Sequence, residues 1–83
     1  MADISFPPDF ELLPEGAAVF LLWPREGRPY LGRTNYLRKR IARVAARDVD
    51  GAVERLEYYA TASKLEARFV ARDLAKRHLG SDY

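Results

Sequence analysis

The chain lacks cysteine altogether and contains a single histidine, His78, among its 83 residues. Without cysteine it can form neither a disulfide bond nor a thiolate metal site. With no second histidine or cysteine beside His78, a zinc site is not predicted either. In the last turn of a predicted helix, His78 is most simply a partner for the helix dipole. The sequence therefore indicates no resident cofactor or metal.

Long apolar runs are also missing. No stretch approaches the length of a membrane span, and the N-terminus lacks the basic-then-apolar layout of a signal peptide. We therefore expect no membrane partner and a cytoplasmic location. The length suffices for one small domain, and no repeat or linker divides it.

The formal net charge of +2 conceals an uneven distribution. Residues 1–24 contain four acidic and no basic side chains, whereas residues 25–47 contain eight basic side chains and one acidic one. Eleven of the fourteen cations are arginine, which suits bidentate phosphate contacts. A basic block of this kind is typical of a nucleic-acid contact surface, the alternative being an ordinary solvated helix surface.

Proline and apolar periodicity predict the elements of the first half of the chain. Residues 1–14 are predicted to be an irregular lead-in, because three prolines interrupt them. The apolar run at residues 17–23 predicts a buried strand, followed by a turn and a second strand at residues 29–32. Four apolar side chains of the lead-in are expected to pack against the domain: Phe6, Phe10, Leu12 and Leu13.

The remaining residues predict a first helix, a third strand and a last helix. The first helix is predicted to begin at an N-cap formed by Thr34 and Asn35, and a third strand covers residues 55–61. The polar stretch that contains Val53, before that strand, shows neither a helix nor a strand period, so no element is predicted there. A capping box from Ser63 to Glu66 starts the last helix, which ends near Gly80. The predicted fold is therefore α+β, with a small three-stranded antiparallel sheet flanked by helices in a domain at residues 15–83.

The most informative stretch is the strand-to-helix corner at residues 30–40, which reads Y-L-G-R-T-N-Y-L-R-K-R. Such a corner offers backbone N–H groups and the positive end of a helix dipole to an anion. At about 100° per residue, Arg40 lies about 60° from Leu37, at the border of the apolar stripe, where it can point along the sheet. The other candidate phosphate-binding residues are Arg33, Arg38 and Lys39 in this corner and Arg43 one turn further along the helix.

The order of these motifs resembles a known family. An apolar strand contains A-V-F at residues 18–20, Y-L-G-R begins ten residues later, L-R-K-R follows, and the last helix contains L-E-A. Over residues 15–80 the chain is similar to the GIY-YIG nucleases, and among them to the N-terminal domain of the bacterial excinuclease C (UvrC-like) subunit. The resemblance implies an endonuclease fold used in DNA repair, which nicks one DNA strand with a single divalent metal ion.

The resemblance assigns roles to four positions, of which two match. Tyr30 would be the tyrosine of the second motif, and Arg40 would stabilise charge on the phosphate; packing within the strand is the alternative for Tyr30. The tyrosine of the first motif is Phe20 here, and the glutamate that holds the metal is Ala71. Neither Glu66 nor Asp73 is a convincing replacement, because they lie about 140° and 160° around the helix from Ala71.

Three hypotheses follow. The first is a DNA-binding domain with a nuclease fold that has lost cleavage, and the second is an active endonuclease that requires Mg²⁺ or Mn²⁺. The third is a protein-interaction module whose basic surface binds an acidic partner. In the resembled family this domain is usually one part of a longer protein, so the chain could be an excised piece whose partners include other domains of a repair protein.

Overall fold

The computed structural model describes the backbone of residues 2–80 and the side chains of residues 4–80. The α+β fold class is confirmed. Two helices and four strands make up this range, together with a short 3₁₀ turn at Phe10–Leu12. In chain order the elements are β1 (Ala2–Ser5), β2 (Ala18–Pro24), β3 (Tyr30–Thr34), α1 (Leu37–Arg47), β4 (Val53–Ala60) and α2 (Lys64–His78).

All strands pair antiparallel, in the spatial order β1-β4-β2-β3. The apolar run of β2 therefore lies in the interior of the sheet, while β1 and β3 form the edges. A strand that is covered on both faces is expected to be a continuous apolar run instead of an alternating one. This explains why residues 18–22 are all buried.

The two helices cover opposite faces of the sheet. On one face Phe20 and Leu22 pack with Leu37 and Ile41 of α1. On the other face Val19 and Leu21 pack with residues of α2, namely Ala71, Leu74 and Ala75. Successive side chains of β2 alternate between these two groups, as strand geometry requires. Two apolar cores in a three-layer arrangement are the result, and neither helix of the described range is long and apolar enough to cross a membrane.

The sheet has one strand more than the sequence predicted. The lead-in, which we expected to be irregular, contributes β1, in which Ile4 pairs with Leu56 and Ser5 with Arg55. Its prolines all follow β1, so they interrupt none of these pairs. Leu13 is buried as predicted, whereas Leu12 is 77% exposed and does not pack against the domain.

Two predicted boundaries were wrong. Strand β4 begins at Val53, so the stretch without a clear period belongs to the sheet. Helix α1 begins at Leu37, and its N-cap residue is Tyr36, which makes no capping hydrogen bond through its side chain. Thr34 instead ends β3 and accepts a hydrogen bond from the Tyr36 N–H at 3.1 Å. The Leu37 N–H donates to the Gly16 carbonyl at 3.0 Å, a backbone contact that no local pattern announces.

The predicted start of the last helix is confirmed. Ser63 is the N-cap residue, and its Oγ accepts a hydrogen bond from the Glu66 N–H at 3.1 Å. The Glu66 carboxylate returns to the N–H of Ala62 at 3.2 Å, one residue before the position expected in a capping box. At the other end the C-cap is Leu79, and Gly80 follows it with a φ of 66°, which suits glycine after a helix.

The contact between Phe20 and Gly32 yields a stability prediction. A Cβ atom added at Gly32 would lie 2.5 Å from Cζ of the Phe20 ring, which is fully buried. Because overpacking of this kind forces backbone or rotamer shifts, we expect Gly32→Ala to lower the free energy of unfolding by about 1–3 kcal/mol. Urea denaturation measures this change.

Gly16→Ala is the matched control, since a Cβ at Gly16 would meet no atom within 4 Å. We expect it to change the free energy of unfolding by less than about 1 kcal/mol. An equal loss of free energy of unfolding in the two variants would show that the Phe20 ring does not exclude a side chain at position 32.

Candidate nucleic-acid interface

Three of the predicted site positions meet on the α1 face of the sheet, around the ring of Phe20. The Phe20 and Tyr30 ring centroids are 6.3 Å apart, with a tilt of 42°. Cζ of Arg40 lies 5.8 Å from the Phe20 centroid, at the border of the apolar stripe where the helix period placed it. Phe20 itself is fully buried, whereas Tyr30 is 55% exposed. The buried Phe20 ring thus lies beneath a surface tyrosine, Tyr30, and a half-buried arginine, Arg40.

Helix α1 contains five cations and no acidic residue. Within residues 4–80, no carboxylate lies within ion-pair distance of Lys39, Arg40, Arg43 or Arg47. Lys39 instead lies over the ring of Tyr36, with Nζ 5.8 Å from the centroid. Lys39, Arg43 and Arg47 follow each other at steps of four residues, so they form a row along the exposed side of the helix.

Arg38 has a different environment from the other cations of α1. Its Nε and Nη2 donate to the Leu13 carbonyl at 3.1 and 2.8 Å, and Nη2 also donates to the Glu11 carbonyl at 3.1 Å. Nη1 lies 3.3 Å from the Glu15 carboxylate. Because the guanidinium is engaged by the segment before β2, Arg38 connects that segment to α1, and the phosphate contact predicted for it stays untested.

Arg33 lies on the opposite face from Tyr30 and Arg40. It pairs with Val19 and is two residues beyond Leu31, whose side chain is in the α2-side core. There it lines a cleft of about 390 Å³ between the corner and the start of α2. Lys64 and Arg68 line the same cleft, and the sequence reasoning missed both. Their spacing of four residues in a predicted helix was the available signal, but nothing local relates that helix to Arg33.

Ala71 also lies on the α2 face. It is 1% exposed and packs in the core that contains Val19 and Leu31. The sheet therefore separates it from Phe20, Tyr30 and Arg40, which lie on the α1 side. The four positions that the family resemblance groups into one site are thus not brought together on one face of the sheet.

The two acidic side chains of α2 both have partners. Glu66 accepts from the backbone of Ala62, and Asp73 forms an ion pair with Arg77 at 3.1 Å. Among the residues that the structure describes, no group of three or more His, Cys, Asp or Glu side chains could hold a metal ion.

One buried carboxylate was not anticipated. Glu57 is 7% exposed in β4, accepts a hydrogen bond from Nε1 of Trp23 at 3.3 Å and another from the Tyr59 hydroxyl. Nη1 of Arg55 lies 3.7 Å from the same carboxylate. Since its partners satisfy both oxygens, Glu57 serves to hold the sheet surface together. Trp23 also packs edge to face on His78, with ring centroids 5.1 Å apart, and lies against the α2-side core.

Comparisons of the chain with protein-family models, with curated proteins and with solved structures found no match in any of the three. The resemblance to the GIY-YIG nucleases stays a prediction from the motifs and their spacing.

The environment of Arg38 predicts that this residue stabilises the fold. Arg38→Ala removes three charge-assisted hydrogen bonds to two carbonyls, so we expect the free energy of unfolding to fall by about 1–3 kcal/mol. The ion pair with Glu15 contributes little, because the Glu15 side chain is 81% exposed. Chemical denaturation of Arg38→Ala, compared with a variant that lacks only the Glu15 charge, separates the carbonyl hydrogen bonds from the ion pair.

Glu15→Gln is the control for the ion pair, and it should change the free energy of unfolding by less than about 0.5 kcal/mol. A loss in Glu15→Gln as large as that in Arg38→Ala would mean that the charge pair, and not the carbonyl bonds, holds the segment.

Proposed function

We propose that this chain is a nucleic-acid-binding domain that contacts phosphates through helix α1, on a fold resembling that of the GIY-YIG nucleases but without their cleavage activity. The observation that carries the proposal is the row of cations on α1 without carboxylate partners in residues 4–80. DNA in a repair context is the substrate that the motif resemblance favours.

The energetics of α1 favour an anionic ligand. Like charges four residues apart on a helix repel each other, and the row of Lys39, Arg43 and Arg47 contains two such steps. A polyanion would relieve this repulsion and release its own counterions, which supplies affinity without any contact to a base. Contacts of this type position a duplex or a strand but carry no sequence information.

The loss of cleavage is proposed from two side chains. Phe20 has no hydroxyl with which to accept or relay a proton, and its ring is fully buried. Ala71 has only a methyl group, which cannot ligate a metal ion, and it lies on the other face of the sheet from Tyr30 and Arg40. In a phosphodiesterase that depends on one divalent cation, both the metal and the activated water would lack their expected partners.

One observation favours the alternative of an active endonuclease. Tyr30 and Arg40 meet at the Phe20 ring, and both carry the side chains that the resemblance requires for water activation and phosphate stabilisation. This alternative needs Mg²⁺ or Mn²⁺ and a carboxylate from a position that the motif alignment does not identify.

The proposal predicts binding that depends steeply on salt. We expect fluorescence anisotropy with a short DNA duplex to show an affinity that falls as NaCl rises. The double substitution Lys39→Ala and Arg43→Ala should reduce the slope of log K against log [salt] by about 2, roughly one for each lost phosphate contact. Both side chains are exposed, so the fold should be retained.

Arg25→Ala is the charge control, because Arg25 lies in the turn before β3 and its side chain is 86% exposed. It should leave the slope nearly unchanged. An equal decrease in both variants would show that net charge and not the α1 surface governs binding. Absence of DNA binding at low salt, with binding to an acidic protein instead, would support the interaction-module hypothesis.

A further inference from the structure

Two tyrosines are exposed at the corner between β3 and α1. Tyr30 is the first residue of β3 and is 55% exposed, and Tyr36 is the N-cap residue of α1 and is 64% exposed. Within residues 4–80, neither hydroxyl has a hydrogen-bond partner. A tyrosine that serves to pack a sheet buries its ring and usually bonds its buried hydroxyl. Packing alone therefore does not account for these two rings.

Both exposed rings are associated with cations of α1. Nζ of Lys39, the first cation of the row on α1, lies 5.8 Å from the centroid of Tyr36. Tyr30 and Arg40 both contact the ring of Phe20. Exposed aromatic rings beside a series of cations are typical of surfaces that bind single-stranded nucleic acid, because the cations contact phosphates and the rings stack on bases.

The two tyrosines lie at opposite ends of β3. The strand runs from Tyr30 to Thr34, which is about 13 Å at about 3.4 Å per residue. Tyr36 stays beside the far end of the strand, since its N–H donates to the Thr34 Oγ at 3.1 Å. Each ring would therefore take a base of its own.

The exposed rings favour a single strand over a duplex. In a duplex only the edges of the bases are accessible in the grooves, and moving a base out of the stack costs free energy. In a single strand the faces of the bases are open to an aromatic ring. The cations of α1 serve both ligands, whereas the tyrosine rings add affinity only for unpaired bases.

We propose that the ligand of the α1 surface is a single-stranded segment of nucleic acid, with one base stacked on Tyr36 and another on Tyr30. This inference rests on the function proposed above, and it specifies the class of nucleic acid. Stacking of this kind tolerates any sequence, because every base has an aromatic face. It uses the ring of Tyr30 and not its hydroxyl, unlike the water activation that the family resemblance implies.

Two oligonucleotides with matched phosphates test this proposal, a short oligodeoxythymidine and an abasic chain of the same length. Binding to the full chain is measured by fluorescence anisotropy at several NaCl concentrations. Because the cations contact the same phosphates in both, the difference in affinity reports the bases. We expect the oligodeoxythymidine to bind at least about tenfold more tightly than the abasic chain.

Substitution of Tyr36 tests the role of its ring. Tyr36→Leu should lower the affinity for oligodeoxythymidine about fivefold, whereas Tyr36→Phe, which keeps a ring, should lower it by less than about twofold. The Tyr36 side chain makes no capping hydrogen bond, so α1 should be retained in both variants.

Substitution of Tyr30 separates the ring from the hydroxyl. Tyr30→Leu should lower the affinity for oligodeoxythymidine about fivefold, and Tyr30→Phe should lower it by less than about twofold. Phe69→Leu is the matched control, because Phe69 is an aromatic side chain of α2 on the other face of the sheet and is 59% exposed. It should leave the preference for oligodeoxythymidine over the abasic chain unchanged.

The outcomes distinguish this proposal from the function proposed above. Equal, salt-dependent binding of the two oligonucleotides would overturn base stacking and leave the phosphate contacts of α1 in place. A preference for oligodeoxythymidine that survives in both Tyr36→Leu and Tyr30→Leu would also overturn it. Absence of binding to these oligonucleotides and to a duplex at low salt would contradict both proposals.

Discussion

The packing of the Phe20 ring across Gly32 is the contact on which the α1 side of the molecule depends. The ring occupies the space that a side chain at Gly32 would fill, at the position where Phe20 of β2 pairs with Gly32 of β3. Tyr30 and Arg40 then contact the same ring from β3 and from α1. One buried aromatic side chain therefore contacts the strand, the helix and the two residues that match the motif resemblance.

This arrangement also explains how the cations are distributed. The Arg38 guanidinium donates hydrogen bonds to the segment before β2. Lys39, Arg43 and Arg47 are instead exposed along the same helix. Because side chains alternate along β3, Arg33 lies on the α2 face of the sheet, beside the start of α2. The basic block of the sequence is thus divided between the two faces of the sheet, with Arg33 on the α2 face and the row of Lys39, Arg43 and Arg47 on α1.

Much of the fold followed from local patterns. The apolar run of β2, the capping box at Ser63 and the apolar stripe with Leu37 and Ile41 predicted their elements, because burial on one or both faces leaves a period in the sequence. What failed depended on distant partners. Strand β1 requires β4 as its neighbour, and the start of α1 is satisfied by the carbonyl of Gly16.

The candidate site could be predicted only in part for the same reason. The position of Arg40 followed from helix geometry, whereas Tyr30 was assigned from the motif resemblance. Ala71 was assigned by motif spacing alone, and its place on the α2 face depends on how the helix crosses the sheet. The cleft with Lys64 and Arg68 is formed by segments about thirty residues apart, so no local period could reveal it.

Strand cleavage measured together with binding tests the central claim most directly. The chain is incubated with labelled supercoiled plasmid and with nicked and flapped duplexes, in Mg²⁺ and in Mn²⁺, beside Arg40→Ala, and binding is recorded in the same buffers. The proposed function predicts salt-sensitive binding that weakens in Arg40→Ala, with no nicking in either metal ion. Metal-dependent nicking that disappears in Arg40→Ala would contradict it and would require a catalytic carboxylate that the motif alignment does not identify.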